Sequence, residues 1–204
     1  MKYTKIAISE EELAILNNAE FFKAKRKITD QISTLFAELR DALTEEAAKH
    51  ASNLPATTDK TMGKLSKGEN YLDLPYLILD FPKLFNKETV FAFRSMCWWG
   101  NFFSFQFHLS GTAWEDRKAN IIKNIAKLEG QGFYICIHAS PWHFHFDADN
   151  YSTIEDYLLK HSTTELEHAS FFKIGRKYPL SEWPAVIAKG QETLAFCLNL
   201  LEKN

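Results

Sequence analysis

The spacing of apolar residues is helical over the first quarter of the chain. Ser9 and Glu12 form a capping-box signature, and no proline or glycine interrupts the sequence from there to Ser52. Apolar residues then recur at intervals of three and four, which predicts a long helix with one buried stripe. The stripe consists of Ile28, Ile32, Leu35, Phe36, Leu39 and Leu43. We therefore expect a helical N-terminal segment over residues 1–54, divided at Asn17-Asn18.

A polar segment follows this helix. Residues 56–70 are rich in Lys, Thr and Gly and show no apolar period, which predicts a mobile loop. Long loops of this kind often cover a site, so a lid is one role open to it. Its Gly-Lys and Lys-Gly pairs lack the spacing of a phosphate-binding loop, which argues against a nucleotide site here.

Alternation with the period of a strand is strongest in residues 90–109. Two aromatic-rich runs flank Gly100-Asn101, a pattern typical of a β-hairpin with a two-residue loop. Such a loop would place Cys97 opposite Ser104 on the more polar face. Arg94 would then fall on the apolar face, where a stacked arginine is favoured over an anion-binding role.

Residues 133–147, with the sequence FYICIHASPWHFHFD, predict a second hairpin folded at Ser140-Pro141. Apolar and polar residues alternate on both sides of this turn, so one face of the hairpin would carry all the polar groups. These groups are Tyr134, Cys136, His138, His143, His145 and Asp147. The turn is the weak point, because proline cannot supply the positive φ that two-residue turns need at their second position; a cis bond or a wider loop would resolve this.

Helical patterns surround the two hairpins. Thr112 with Glu115 predicts a capped helix between them, a further capping box begins at Ser162, and an amphipathic helix ends the chain. Residues 171–177 predict an edge strand. We therefore expect a single α+β domain over residues 1–204, with an antiparallel sheet of about five strands and helices packed mainly on one face.

If both hairpins belong to one sheet, their polar sides merge into one surface. This surface would contain no Lys, Arg or Glu, which an ordinary solvated face would carry, and it would be framed by aromatic residues. Such a lining is typical of a partly covered pocket, so we expect it to bind a small, largely uncharged or aromatic ligand. The predicted ligand-binding residues are Ser95, Cys97, Trp99, Ser104, Gln106, His108, Tyr134, Cys136, His138, His143 and His145.

The histidines of the second hairpin allow a different function. His138, His143 and His145 could converge on one ion and leave a coordination position open, with Cys136 or Asp147 in reach. That arrangement is the pattern of catalytic zinc or iron sites, so a metal-dependent enzyme is an alternative. Histidines that only form hydrogen bonds within a sheet face would give the same sequence pattern. The sequence names no cofactor and no catalytic residue.

Protein interaction or self-association is a third function. The tip of the first hairpin, Trp98–Phe103, is rich in aromatic residues. An exposed aromatic cluster of this kind would be unusual on a monomer, and a homodimer through the tip would explain it.

Composition narrows the partners and the compartment. The formal net charge of the 204-residue chain is −2, so no basic excess indicates nucleic acid. No signal-peptide pattern and no apolar run of bilayer length are present, so we expect no membrane partner. The three cysteines, Cys97, Cys136 and Cys197, form no CxxC pair, which favours a reducing cytoplasm.

The run Phe171–Arg176 reads FFKIGR and precedes the last amphipathic helix. Together with the long N-terminal helix and the aromatic hairpin, this order of elements resembles the uncharacterised bacterial YktB-like family. The resemblance implies an α+β fold and carries no activity with it. It also draws attention to Arg176.

Overall fold

A seven-stranded sheet forms the centre of the computed structural model, which describes residues 6–202; the first five residues of the predicted helical segment lie outside this range. The strands are β1 (Lys64–Tyr71), β2 (Leu74–Phe85), β3 (Thr89–Trp98), β4 (Phe102–Gly111), β5 (Tyr134–Cys136), β6 (Tyr151–Thr153) and β7 (Phe171–Pro179). They lie in the order β1-β2-β3-β4-β7-β5-β6, and every neighbouring pair is antiparallel. The predicted α+β class is confirmed, with seven strands instead of about five.

Seven α-helices accompany the sheet in the described part of the chain. They are α1 (Glu10–Leu16), α2 (Ala19–Lys49), α3 (Thr112–Glu115), α4 (Lys118–Asn124), α5 (Ile154–Lys160), α6 (Thr163–Glu167) and α7 (Val186–Asn199). The predicted long N-terminal helix is α2, and the predicted break at Asn17-Asn18 separates it from α1. None of the described helices combines the length and the apolar character needed to cross a membrane.

The main core lies between one face of the sheet and the helices α2 and α7. The predicted apolar stripe of α2 is buried from Ile32 onward, and Leu39 is fully enclosed. Gly190 of α7 marks the closest approach, because a Cβ atom there would lie 2.6 Å from Leu39 and 2.8 Å from Phe105 of β4. Because Gly190 has no side chain, α7 packs closely against both α2 and β4 of the sheet.

The register of the first hairpin differs from the predicted one by a single residue. Cys97 pairs with Phe103, and Arg94 pairs with Gln106. The turn is wider because Gly100, at φ 72°, occupies the third position of a turn closed by the Asn101 N–H on the Trp98 carbonyl. A slip of one residue exchanges the faces of one strand relative to the other. Arg94 therefore leaves the helix-covered face.

The predicted second hairpin at Ser140-Pro141 is wrong. The strand ends at Cys136, and β5 pairs instead with β6 and β7. Residues 137–150 between β5 and β6 form a long excursion, the cover loop, which is closed at its base by the Ile137 N–H on the Asn150 carbonyl at 2.9 Å. Its backbone groups bond to side chains of the sheet rather than to a neighbouring strand, which satisfies them in another way.

Three smaller expectations also change. Within the predicted loop 56–70, residues from Lys64 onward belong to β1 at the edge of the sheet. The predicted edge strand is β7, which lies in the interior between β4 and β5. The predicted capping box at Thr112 does not form, because the Thr112 hydroxyl bonds to the Thr89 hydroxyl instead.

The core predicts a clear difference between a buried and an exposed leucine. Leu39→Ala opens a cavity between α2, α7 and β4, and we expect the free energy of unfolding to fall by about 2–5 kcal/mol. Leu159→Ala on α5, where the side chain is exposed, should change it by less than about 0.5 kcal/mol. Urea unfolding followed by circular dichroism measures both, and equal effects would contradict this account of the core.

Candidate functional site

The sheet face opposite the helices, here called the loop face, is covered by residues 137–150. The observed pairing places Arg94, Gln106 and Lys173 near one another on this face, since Arg94 is opposite Gln106 and the neighbouring His108 is opposite Lys173. Side chains of one strand alternate between faces, so Ser104 and His108 share it with Gln106. Tyr134, opposite Gly175, and Cys136 extend the loop face across β5.

The predicted ligand-binding residues are divided by this arrangement. Ser104, Gln106, His108, Tyr134 and Cys136 lie on the loop face. Ser95 and Cys97 are on the opposite face, beneath the helices, because of the one-residue difference in register. Trp99 lies in the hairpin turn and packs against the helix-side core. His138, His143 and His145 lie in the cover loop rather than on a strand.

The hydroxyl of Tyr71, at the end of β1, holds the middle of the cover loop. It accepts the backbone N–H groups of Phe144 at 2.7 Å and His145 at 3.1 Å, and it lies 2.8 Å from Nδ1 of His145. Gln106 adds a bond from its side-chain amide to the Phe144 carbonyl at 3.3 Å. The loop is therefore positioned mainly by side chains that reach up from the sheet.

Lys173 of β7 is the second anchor, and it is only 2% exposed. Its ammonium donates to the carbonyl oxygens of Pro141 at 2.8 Å and His143 at 2.6 Å. It also lies 4.8 Å from the centre of the Phe144 ring. Burial lowers the pKa of Lys173 to about 7; the positive charge of Arg94 acts in the same direction and Cys136 in the opposite one. A lysine that titrates near neutral pH is unusual outside functional sites.

Sequence reasoning missed Lys173 and misplaced Arg94. The expected face without Lys, Arg or Glu depended on two predictions that were wrong. One was the position of β7 at the edge of the sheet, and the other was the predicted register of the first hairpin, which put Arg94 on the apolar face. The available signal was the run FFKIGR, where Lys173 stands between Phe172 and Ile174 and must point away from both if those two face the core.

Arg94 differs from Lys173 because it has a carboxylate partner. Its guanidinium donates two bonds to Asp80 of β2, at 2.7 and 2.9 Å, and Asp80 is itself buried. The guanidinium also stacks over the Phe144 ring at 4.8 Å, as the predicted stacking role implies. Arg94 is thus neutralised within the fold.

Three side-chain atoms beneath or beside the cover loop have no hydrogen-bond partner within residues 6–202. They are Oε1 of Gln106, Nε2 of His108 and the hydroxyl of Tyr151. Buried polar atoms are usually paired, so a group of such atoms near Lys173 is notable. Burial, together with the charges of Lys173 and Arg94, lowers the pKa of His108 to about 3, so its imidazole is neutral at physiological pH.

Space at the site is divided into a closed part and an open part. Between the cover loop and the sheet, around Arg94, His108 and Lys173, about 10 Å³ is left, roughly the room for one water molecule. Beside it, a cleft of about 440 Å³ opens between β5, the N-terminal end of β7 and the helices α5 and α6. Cys136, His138 and Lys173 line this cleft. Its volume is within the range of small-molecule sites.

A hydrogen bond between a histidine and a glutamate borders the same cleft. Nδ1 of His161 lies 2.7 Å from the Glu165 carboxylate, and this bond is the main reason why the pKa of Glu165 is lowered. The predicted capping box at Ser162 and Glu165 is also confirmed. The pKa of Cys136 is raised by burial, so its thiol stays protonated at neutral pH.

The three predicted metal ligands are neighbours in the cover loop. Ring centroids lie 4.3 Å apart for His138 and His143 and 5.7 Å apart for His143 and His145. The Ser140 N–H donates to Nδ1 of His138 at 2.9 Å. Burial, followed by the charges of the two neighbouring histidines, lowers the pKa of His143. The histidines therefore meet, although not on the two strands of a hairpin.

A group of possible ligand atoms within 4.8 Å of one another occurs, among the described residues, at His145, Asp147 and Asp149. One ring nitrogen of His145 is already hydrogen-bonded, however. The Tyr71 oxygen accepts two N–H groups with its two lone pairs, so its hydrogen points to Nδ1 of His145. Nε2 then carries the imidazole hydrogen and faces Asp149 at 3.3 Å. The hydrogen bond to Tyr71 therefore fixes the His145 ring within the fold without a metal.

The tip of the first hairpin exposes Gly100 and Asn101, whereas Trp98 and Phe103 are buried. No family model, curated protein or solved structure matches the chain. The resemblance to the YktB-like family stays a prediction, and the site has to be interpreted from its own chemistry.

The Tyr71 anchor predicts a specific change in the cover loop. Tyr71→Phe removes the acceptor of the Phe144 and His145 N–H groups, so these amides should exchange with deuterium faster and stability should fall by about 1–3 kcal/mol. Tyr76→Phe is the control, because Tyr76 packs on Tyr71 but its hydroxyl forms no hydrogen bond within the part of the chain described. Unchanged exchange in Tyr71→Phe would show that the hydroxyl does not hold the loop.

Lys173 predicts a dependence of stability on pH. Its pKa is lowered in the folded protein to about 7 from the ordinary lysine value of 10.5, so between these values the unfolded chain binds the proton and the folded chain does not. This contribution to stability therefore rises with pH from about 7, by at most about 1.4 kcal/mol per pH unit, and is constant below that.

Urea unfolding of the wild type and Lys173→Met at pH 6 to 10 isolates this contribution. The stability of the wild type relative to the variant should increase with pH above 7. The matched control is Lys177→Met, on the same strand and face but exposed, for which the difference should stay flat. A flat difference for Lys173→Met as well would mean that the ammonium is not buried.

Proposed function

We propose that the chain binds a small molecule with an acidic group, a carboxylate or a phosphate, at the loop face next to Lys173. The observation that carries this proposal is the set of partners of Lys173. Its buried ammonium bonds to two main-chain carbonyl oxygens, and no carboxylate within the described residues lies at ion-pair distance. Burying a cation without an anion is costly, and an anionic ligand would offset that cost.

The expected ligand changes for a physical reason. An uncharged or aromatic ligand is expected for a face without Lys, Arg or Glu, but Arg94 and Lys173 both lie on this face. Arg94 is paired with Asp80, which leaves Lys173 as the group available to an acid. Phe144 still provides an aromatic surface beside it, so an aromatic acid fits both features.

The neighbouring polar atoms would orient the ligand. Oε1 of Gln106 accepts hydrogen bonds, while the Tyr151 hydroxyl and the neutral imidazole of His108 can donate or accept. Of the residues predicted for binding, Gln106, His108, Cys136 and His138 therefore keep a role in this proposal. The open cleft beside Cys136 and His138 supplies the route toward Lys173.

The cover loop acts as the lid in this proposal, in place of residues 56–70. With about 10 Å³ beneath the loop, a ligand reaches the ammonium of Lys173 only when the loop shifts. The ligand would replace the carbonyls of Pro141 and His143 as acceptors for the ammonium. A bond to an anionic oxygen is stronger than a bond to a neutral carbonyl, so the exchange favours the bound state.

The other two functions have less support. The metal-dependent enzyme depends on His138, His143 and His145, and Nδ1 of His145 is already hydrogen-bonded to the Tyr71 hydroxyl while its Nε2 faces Asp149. The interaction module at Trp98–Phe103 depends on exposed aromatic residues, and both end residues of that tip are buried. Both remain predictions without a supporting contact.

A panel of named probes tests the proposal. Acetate, benzoate and inorganic phosphate, with benzamide as the uncharged analogue and sodium chloride at equal ionic strength, are titrated while chemical shifts of the cover loop are followed by NMR. We expect at least one acid, and not benzamide, to give saturable shifts at residues 137–150. Comparison of benzoate with phosphate decides between the two kinds of acid.

Two variants and pH complete the experiment. Lys173→Met should abolish binding, whereas Lys177→Met should retain it. Affinity should fall by up to about tenfold per pH unit above 7, because the ammonium that meets the acid must take up a proton. Binding that persists in Lys173→Met, or saturable binding of none of the three acids, would contradict the proposal.

A further inference from the structure

The N-terminal helices carry an exposed apolar surface that the fold does not use. From residue 6 to residue 31 no described residue is buried, and α2 first enters the core at Ile32. Residues 10–31, here called the arm, nevertheless expose several large apolar side chains at 44–62%. These are Leu13, Ile15, Leu16, Phe21 and Phe22. A contiguous group of this kind is typical of a surface that binds another molecule.

The arm also carries unpaired charges of both signs. Glu10 and Glu11 lie in the first turn of α1, and Arg26 and Lys27 lie on α2; none of the four forms an ion pair with another residue in the described range 6–202. Glu10 and Glu11 precede the apolar residues of the arm, and Arg26 and Lys27 follow them; Asp30 lies one turn beyond the basic pair. A surface of this pattern is complementary to a second copy of itself in a two-fold arrangement.

A groove on α2 offers a seat for such a partner. It has a volume of about 640 Å³; Arg26 and Lys27 line its basic end and Leu35 and Trp183 its apolar end, with the acidic Asp30 and Glu38 beside them. A helix of the length of α1 spans about 10 Å, at 1.5 Å per residue, which is shorter than the stretch of α2 that lines the groove. The glutamates of α1 would contact the basic end of the groove, and the leucines of α1 would contact its apolar end.

We propose that the arm is a dimer interface, in which α1 of each copy seats in the α2 groove of the other, with Glu10 and Glu11 against Arg26 and Lys27. The contact is reciprocal, so every interaction forms twice. The partner is a second copy rather than an anionic membrane, because the acidic start of α1 would be repelled by anionic lipid. The proposal is independent of the ligand site, from which the arm is separate along the chain.

Charge reversal gives a direct test with the full-length protein. By sedimentation velocity across the micromolar range, the wild type should have twice the mass of one chain. Glu10→Lys/Glu11→Lys should be monomeric, because both α1 and the groove are then basic. Arg26→Glu/Lys27→Glu should be monomeric as well, because both are then acidic. Mixing the two variants should restore a dimer, since each α1 then faces a groove of opposite charge.

Two controls separate the interface from the fold. Lys123→Glu/Lys127→Glu changes the net charge as Arg26→Glu/Lys27→Glu does, but at exposed positions outside the arm. This variant should remain dimeric. Leu13→Ser/Leu16→Ser should be monomeric with unchanged circular dichroism, since α1 contains no buried residue.

Three results would overturn the proposal: a monomeric wild type, a dimer that persists in both charge-reversed variants, or a mixture of these variants that stays monomeric. Phosphatidylserine vesicles test the competing possibility of a membrane surface. Binding of a monomeric wild type to the vesicles, lost in Arg26→Glu/Lys27→Glu, would assign the arm to a membrane surface instead.

Discussion

The pairing of β3 with β4 decides which side chains meet the helices and which meet the cover loop. With Arg94 opposite Gln106, the phenylalanines at the centre of both strands face α2 and α7, where they form the core. The same pairing sends Arg94, Gln106 and His108 to the loop face. A slip of one residue would bury Arg94 among phenylalanines and separate it from Asp80, which costs far more than the sheet could offset.

The loop face is buried without being apolar, and this sets the character of the site. The cover loop brings Phe144 and its own main-chain carbonyls down onto two cations, of which Arg94 is neutralised by Asp80. Lys173 is left with neutral partners in a region from which water is largely excluded. Desolvation therefore shifts its proton equilibrium toward neutral pH. An anionic ligand would supply the counter-ion that Lys173 lacks, and its binding would therefore favour opening of the cover loop.

Sequence reasoning was most successful where local chemistry decides the structure. The capping boxes at Ser9 and Ser162, the break at Asn17-Asn18 and the buried stripe of α2 all depend on residues within one or two turns of each other. These features formed as predicted, and so did the α+β class and the antiparallel sheet.

The predictions were wrong where residues far apart in the sequence determine the structure. The alternation in residues 133–147 is real, but the backbone bonds of Phe144 and His145 go to Tyr71, more than seventy positions away. The place of Lys173 depends on β7 lying between β4 and β5, which no local pattern shows. Gln106, His108 and Cys136 share one face as the alternation predicts, because side chains along a strand alternate whatever the strand order; their part in ligand binding stays a prediction.

Lys173 is a buried amine beneath the cover loop, and titration of its own side chain tests this. NMR of the side-chain ¹³Cε resonance of Lys173, assigned by its loss in Lys173→Met, gives the midpoint in the folded protein. We expect a midpoint near 7. A midpoint near the ordinary lysine value of 10.5 would place the ammonium in water and would show that Lys173 is not buried.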